Sequence, residues 1–349
     1  MPLTPEQVDD FVVLTLPNFK KNRWTDLSLE HQEYCSSHIL TDKNITERGG
    51  TLIDFKVQTK NTGNARNTGL YAADITKVED VMITGQVPWT KQTTNFSYDV
   101  DEDLFQSDRE TIIRELKIRE HDALNSMAEL NEENLWSEPT STTDNRPMGI
   151  PFWIQKDATT TPGGGFTGGN PTTTGFSASG CAGISSTTYP RYSNWAFGYT
   201  NVTTDDLVAK IKKSLAFTNF MAPVPHPELG FGDSTYQIYT TYRVQEPLER
   251  LAELRNENLG SDVAKYINQV TVGGVPIKWV PYLEANHTLS PLYGINWAKL
   301  RPFVKKGANM RRTKPIRAAN QNTVREIHID TWMNYICYDR RSQWVGIEV

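Results

Sequence analysis

Cysteine is scarce in this chain, and the three present, Cys35, Cys181 and Cys337, are odd in number, widely spaced and form no CxxC pair. That pattern excludes a disulfide framework and fits a reducing compartment. Long apolar runs are lacking too. None approaches the roughly 20 residues needed to span a bilayer, mean hydropathy is −0.52, and no membrane partner is expected. The chain start has Thr4-Pro5-Glu6 and Asp9-Asp10 where a secretory signal would carry basic and apolar blocks, so the four N-x-S/T matches at Asn44, Asn95, Asn201 and Asn286 read as chance. Positive charge is not in excess either: 36 Lys and Arg against 41 Asp and Glu leave a net −5 and a pI near 5.8. This argues against a protein that works mainly by neutralising phosphates. The local basic runs Lys20-Lys21-Asn22-Arg23, Lys305-Lys306 and Arg311-Arg312-Thr313-Lys314 read as solvated loops or subunit contacts.

What is present points to an elongated subunit. With 349 residues the chain can hold about two domains, but 38% apolar and 22% charged content is modest for that length. Part of it is therefore expected to be extended. Ser107-Asp108-Arg109-Glu110 has the S-x-x-E form of a capping box and opens a helix to about Trp136. Ile112, Leu116, Ala123, Met127 and Leu130 recur on one face, widened by Ile113, Leu124 and Ala128. Glu110/Arg114 and Glu115/Arg119 are favourable i,i+4 pairs on the other. No Gly or Pro interrupts it before Pro139, so it spans roughly 40 Å, well beyond the average helix.

Before it, Ile53, Phe55 and Val57 alternate with polar residues, as do Val81, Ile83, Gly85 and Val87, and Lys60 to Gly69 supplies Asn/Gly turn chemistry between them. Such a hairpin has too few large apolar groups to stand alone and needs a surface to lie on; neighbouring copies are expected to supply it. Thr4-Pro5-Glu6-Gln7 starts a short helix, and a second is expected from Asp26 to about His38; the two on a polar string resemble an arm. After the long helix, Met148 to Ile154 reads as a strand. The tract from Ala158 to Thr188, about two-thirds Gly, Ser and Thr, reads as a loop pinned at Phe166, Phe176 and Ile184. Thr204 caps a helix to about Phe217 with Leu207, Val208, Ile211 and Leu215 as its stripe. Pro223, Pro225 and Pro227 mark a boundary. Beyond it Tyr236–Thr241, Pro247–Asn256, Val275–Leu283 and Leu292–Leu300 alternate as an α+β or α/β unit with its own sheet, and Val324 to Val349 suggests two long antiparallel strands.

No chemical motif survives inspection. Gly163, Gly165 and Gly168 satisfy G-x-G-x-x-G, but Pro162 precedes and no helix follows. Asp99, Asp101, Asp103 and Glu110 match a calcium loop at four positions, yet Leu104 stands where the turn requires Gly. Acidic groups there complement the dipole of the following helix. His31, Cys35 and His38 form one face of the second short helix without a fourth zinc ligand, and Ser177 lies in no G-x-S-x-G elbow. The nine Trp are evenly spread, as core or interface anchors are. No catalytic, cofactor or metal site is expected.

Taken in order, the arm, the hairpin with its Asn/Gly tip, and the capped helix ending Glu132-Glu133-Asn134-Leu135-Trp136 are followed by Gly149-Ile-Pro-Phe-Trp-Ile154 and the Gly/Thr loop. With Tyr192-Ser-Asn-Trp195, Asn201-Val-Thr-Thr-Asp-Asp206 and Tyr293-Gly-Ile-Asn-Trp297, the series resembles the major capsid proteins of tailed bacteriophages across nearly the whole chain. The resemblance implies an α+β fold with an N-terminal arm at 1–45, an extended loop at 46–92, a peripheral domain at 93–220 plus 319–349 with the spine helix at about 107–136 and the 158–188 insertion, and an axial domain at 221–318. It implies hexamers and pentamers of an icosahedral virion shell, assembled in the host cytoplasm and enclosing double-stranded DNA without sequence-specific binding, with no enzymatic activity. Portal and decoration proteins are implied partners. Many relatives carry a scaffolding segment ahead of the arm; here the arm comes at once, which implies a separate scaffolding protein or none. Lys20, Lys21, Arg23, Trp24, Lys60, Asn64, Arg66, Glu110, Arg114 and Arg119 are the expected inter-subunit contacts. The long Gly/Thr tract is expected on the outer surface or between capsomers. Some relatives weld subunits by a Lys to Asn isopeptide bond, for which Lys60 with Asn320 or Asn322 and Glu326 would be the short and unspecific match. An encapsulin-like nanocompartment shell shares the implied fold, and a polysaccharide-binding β-rich module or a hydrolase is the alternative from another class.

Overall fold

A computed structural model describes residues 28–41, 43–70, 78–101, 109–156, 164–202, 205–220, 235–254 and 270–349, with backbone alone at 109–114, 205 and 252–254. Outside the described residues lie the Thr4 cap and its helix, the connector with Lys20, Lys21, Arg23 and Trp24, the Ser107 capping box, the Thr204 cap and the Pro223 to Pro227 boundary.

The chain enters through a five-residue helix α1 (Cys35–Ile39) and strand β1 (Thr46–Arg48). Helix α1 is shorter than expected, because 28–34 is irregular, and His31 therefore lies outside the helix that carries Cys35 and His38. Next, β2 (Leu52–Gln58) and β3 (Met82–Pro88) pair as the expected antiparallel hairpin, with Ile53 opposite Val87 and Phe55 opposite Gly85. Its alternation has a consequence: Ile53, Phe55 and Val87 are buried while Asp54, Lys56, Thr84 and Gln86 face out. What covers them is the chain itself. The Phe55 ring meets Trp153 and Tyr338 edge-on at 6.3 and 5.8 Å and lies over Gly85, where any Cβ would strike it. The near half of the hairpin thus needs no neighbour, contrary to expectation.

Two larger sheets build the body. Strand β4 (Thr90–Asp99), which its polar sequence TKQTTNFSYD concealed, leads to the spine helix α2 (Arg109–Trp136). At 28 residues the helix is about 42 Å long. A narrow stripe of Leu116, Ala123 and Met127 is buried as expected; Leu116 and Ala123 sit against Phe96 and Tyr98 of β4. Beyond it comes α3 (Ile150–Trp153), one helical turn where a strand was expected, with Pro151 in the first turn. Pro lacks an N–H and holds a helical φ, so it suits that position, and burial on all sides hides the helical period.

The Gly/Ser/Thr tract is only partly a surface loop. It forms β5 (Gly165–Gly168) and α4 (Phe176–Ser179), and Cys181, Ala182 and Ile184 are buried in the main core. Phe166, Phe176 and Ile184 pin it as expected. Placement wholly on the outer surface is corrected: Ala182 O even accepts from Gln86 N of the hairpin at 3.0 Å. Thereafter come β6 (Asn194–Tyr199), α5 (Asp205–Thr218), β7 (Tyr236–Thr240), α6 (Tyr242–Leu254), β8 (Thr271–Val272), β9 (Val275–Trp279), α7 (Pro281–Asn286) and β10 (Leu292–Asn296). The chain closes with β11 (Leu300–Lys305), β12 (Arg311–Arg312), β13 (Ile316–Arg317), β14 (Val324–Cys337) and β15 (Trp344–Glu348).

One sheet has the order β5-β6-β15-β10-β7-β9-β8, and the other centres on β14, which pairs with β4 on one edge and with β13, β12 and β11 on the other. Two sequence expectations are corrected here. The last two strands do not pair with each other, since β15 crosses into the seven-stranded sheet beside β6 and β10. Nor does the 221–318 stretch own a sheet: β7 to β10 share theirs with β5, β6 and β15, while β11 to β13 join β14. Helices α5 and α6 cover one face of the seven-stranded sheet. Trp195, Phe197, Leu292 and Trp344 point to that layer, and Ala196, Tyr293, Val345 and Ile347 point to the main core between the sheets. With both faces covered, these strands read as continuous apolar runs.

Candidate assembly surface

The spine helix is anchored at its C-terminal end and packs along its shaft on β4. Leu135 and Trp136 are fully buried, and the Trp136 carbonyl meets His287 Nε2 at 3.1 Å. A carbonyl can only accept, so Nε2 carries the proton. Burial, with the Lys156 charge in support, holds the imidazole below its usual pKa against the opposing pull of that carbonyl, which keeps it a neutral donor. Along the shaft, Arg119 Nη1 donates to Ser97 O of β4 at 3.1 Å, and Arg312 pairs with Glu120 at 2.6 Å. Arg311 and Arg312 of the basic run are thus engaged with the subunit's own acids, Arg311 reaching Asp330 at 3.6 Å.

A second buried knot joins the two sheets. Arg340, in the turn between β14 and β15, is fully buried. Its guanidinium donates to Trp153 O at 2.7 Å, Tyr192 O at 2.9 Å, Gly169 O at 2.8 Å and Asn194 Oδ1 at 3.1 Å. Asn194 also exchanges bonds with the backbone of Gln155 at 3.0 and 2.9 Å. The Tyr192-Ser-Asn-Trp195 motif is therefore a clasp for this arginine, and Tyr293-Gly-Ile-Asn-Trp297 is structural as well. Gly294 leaves room for the Trp344 indole, and Asn296 bonds Gln343 through its backbone N and O at 2.7 and 3.1 Å.

The hairpin carries four of the exposed large apolar residues, Leu52, Leu70, Val78 and Met82. Past Thr59 the chain continues through residues 60–70 without regular structure, and Lys60, Asn64 and Arg66 are exposed there together. Sequence reading overlooked their apolar companions: Leu70 is 92% and Val78 98% exposed, with Leu52 and Met82 on the outer face of the strands. The signal was available in that Leu52 and Met82 break the inward alternation. Arg119 lies apart, on the seam between α2 and β4. Glu110 and Arg114 belong to the first turns of α2, where side chains are outside the described residues. Lys20, Lys21, Arg23 and Trp24 are likewise outside.

Among the described residues little resembles a reaction centre. A polar cleft of about 420 Å³ lies between α2, β4 and β14, lined by Ser97, Asp99, Arg119 and Asp122 among others. Among the described residues no His, Cys, Asp and Glu side chains gather to hold a metal ion. No described helix is long and apolar enough to cross a membrane. Burial pushes the thiols of Cys35, Cys181 and Cys337 up, Cys181 to about 11, which makes them poor nucleophiles.

No protein-family model and no curated protein matches this sequence. Solved structures do match in shape. A chain of the cyanophage A-1(L) capsid asymmetric unit superposes with a TM-score of 0.62 at 14% identity, over 95% of this chain and 97% of that one. The capsid of a native GTA particle gives 0.53 at 10% identity, over 94% and 95%, and the capsid of Myoviridae phage XM1 gives 0.50 at 10% identity, over 88% and 90%. Matches of this extent span most of the chain, and so the chain has the major capsid fold of tailed bacteriophages.

Proposed function

We propose that this protein is the major capsid protein of a tailed bacteriophage, a non-enzymatic subunit that assembles in the host cytoplasm into hexamers and pentamers of an icosahedral shell around double-stranded DNA. The observation that carries this reading is the end-to-end likeness to the cyanophage capsid chain, 95% of one against 97% of the other. The exposed hairpin extension adds to it, since no contact among the described residues covers Leu70 or Val78. On this reading the 1–45 arm and the 46–92 loop reach over adjacent copies. The spine helix with the β14 sheet forms the peripheral part, and the β7 to β10 region forms the core of the axial part. Each contact is weak, and the lattice holds because every copy makes many at once. Scaffolding, portal and decoration proteins are the further partners this assembly would use.

Electron microscopy of the purified full-length chain tests the reading. Closed shells of uniform size are expected. Monomers that stay monomeric on concentration, and gain thermal stability from an added polysaccharide, would replace it with a binding module.

A further inference from the structure

Two carboxylates three residues apart on the spine helix hold the segment that leads into the body. Glu132 is fully buried. Its Oε2 accepts from the Ser36 backbone N–H at 2.7 Å, and its Oε1 accepts from the Trp136 indole N–H at 2.8 Å. One turn earlier, Glu129 Oε1 accepts from the Tyr34 hydroxyl at 3.2 Å and the Glu30 N–H at 3.4 Å. The His31 ring lies edge-on to Tyr282 at 5.5 Å, and Cys35 and Ile39 enter the main core.

The donors facing Glu132 determine what residue 132 must be. A backbone amide and an indole N–H donate and never accept, so both oxygens of the side chain must be acceptors. A carboxylate meets that demand with two charge-assisted bonds. A glutamine of the same shape cannot, because it turns an N–H toward one of the two N–H donors. Among the described residues no Lys or Arg pairs with Glu132, so these bonds are what compensates its lost water. If residues 28–41 lift away, water regains the carboxylate. The contact is thereby a polar latch beside the apolar anchors Cys35 and Ile39.

We propose that Glu132 is the positioning residue that sets where the N-terminal arm leaves the spine helix: it latches Ser36 and, through it, the root of the arm. The inference rests on the reading of residues 1–45 as an arm that reaches a neighbouring copy. A latched root gives every subunit one departure point; an unlatched one lets copies differ, and closed shells give way to irregular assemblies.

Amide hydrogen exchange on the full-length chain tests the latch without needing shells. Glu132→Gln is expected to speed exchange of the 35–40 peptide by about tenfold or more, the size of one lost charge-assisted bond, while peptides from β10 and β15 keep their protection. In a Trp136→Phe background one donor is gone, and the glutamine oxygen can turn to Ser36. There the same substitution is expected to change exchange by less than about threefold. Equal acceleration in both backgrounds, acceleration spread over β10 and β15, or none at all overturns the proposal. Should Glu132→Gln fail to fold, recovery on adding Trp136→Phe supports the latch, and no recovery overturns it. Particle images of the wild type test the capsid reading separately from the exchange pattern.

Discussion

Arg340 brings a full charge into the junction of the two sheets and spends its donors on oxygens from three separate stretches, α3, the Gly-rich tract and the 192–194 clasp. Removing it leaves several buried acceptors without partners. Arg340→Met is expected to lower stability by about 3–5 kcal/mol, read as a shift in the urea unfolding midpoint. Lysine should not rescue it, since a point charge cannot span a planar fork; a loss under about 1 kcal/mol would show that the cage relaxes. Gly149 is a second single-atom constraint. A Cβ there would collide with the carbonyl oxygens of Asn134, Leu135 and Ser137 that end the spine helix, so Gly149→Ala is expected to cost about 1–3 kcal/mol by overpacking. Neither role was legible in sequence. Arg340 and Asn194 lie 146 residues apart, and one-dimensional pattern carries no information about who accepts a guanidinium's protons.

At the scale of elements, legibility followed periodicity. The hairpin, the spine helix, α5 and β7 each repeat apolar residues often enough to be read, and the structure places them within a residue or two where both ends are described. Strand β4 was missed because Thr90 and Gln92 fill two of its inward positions, and α3 was misread because one buried turn has no polar face. Yet β4 is essential to the β14 ladder, which it pairs over ten residues. Asp330 on β14 stitches this ladder to both neighbours, meeting Lys91 of β4 at 3.2 Å and Arg311 of β12 at 3.6 Å. Burial works to raise its pKa, but Thr93, Lys91 and Arg311 together outweigh that and hold the carboxyl below the usual range. A carboxyl depressed on folding contributes stability above its unfolded pKa, near 3.9, and loses it as pH falls through the folded value. Asp330→Asn is therefore expected to cost about 1–2 kcal/mol at pH 7. In unfolding curves at stepwise lower pH the gap to wild type should narrow below about pH 4; a gap that widens with acid contradicts the sign.

For the whole molecule, the near half of the hairpin belongs to the subunit's core and the far half to its surroundings. Ile53, Phe55 and Val87 are buried against the chain's own body, whereas Lys60 and Leu70 face solvent. Lys60→Glu with Leu70→Asp should leave subunit stability within about 0.5 kcal/mol, as surface changes do. Shell yield should fall sharply, because a small loss per contact is multiplied over the lattice. Thermal unfolding paired with particle counts by electron microscopy checks both halves, and unchanged shell yield would remove the hairpin extension from the assembly contacts.

Local order was thus present in the chain as written. Periods of 2 and 3.6 mark where strands and helices form, the absences of cysteine pairs, apolar spans and basic excess narrow the class, and the succession of elements carries the capsid likeness. Pairing was not. That β15 leaves β14 for the other sheet, that Cys181, Ala182 and Ile184 of the Gly-rich tract enter the core, and that Arg340 and Glu132 find their acceptors and donors far away in sequence are outcomes of competition among surfaces. Periodicity states which face of an element is apolar; it is the closed packing of the whole chain that chooses which other face will meet it.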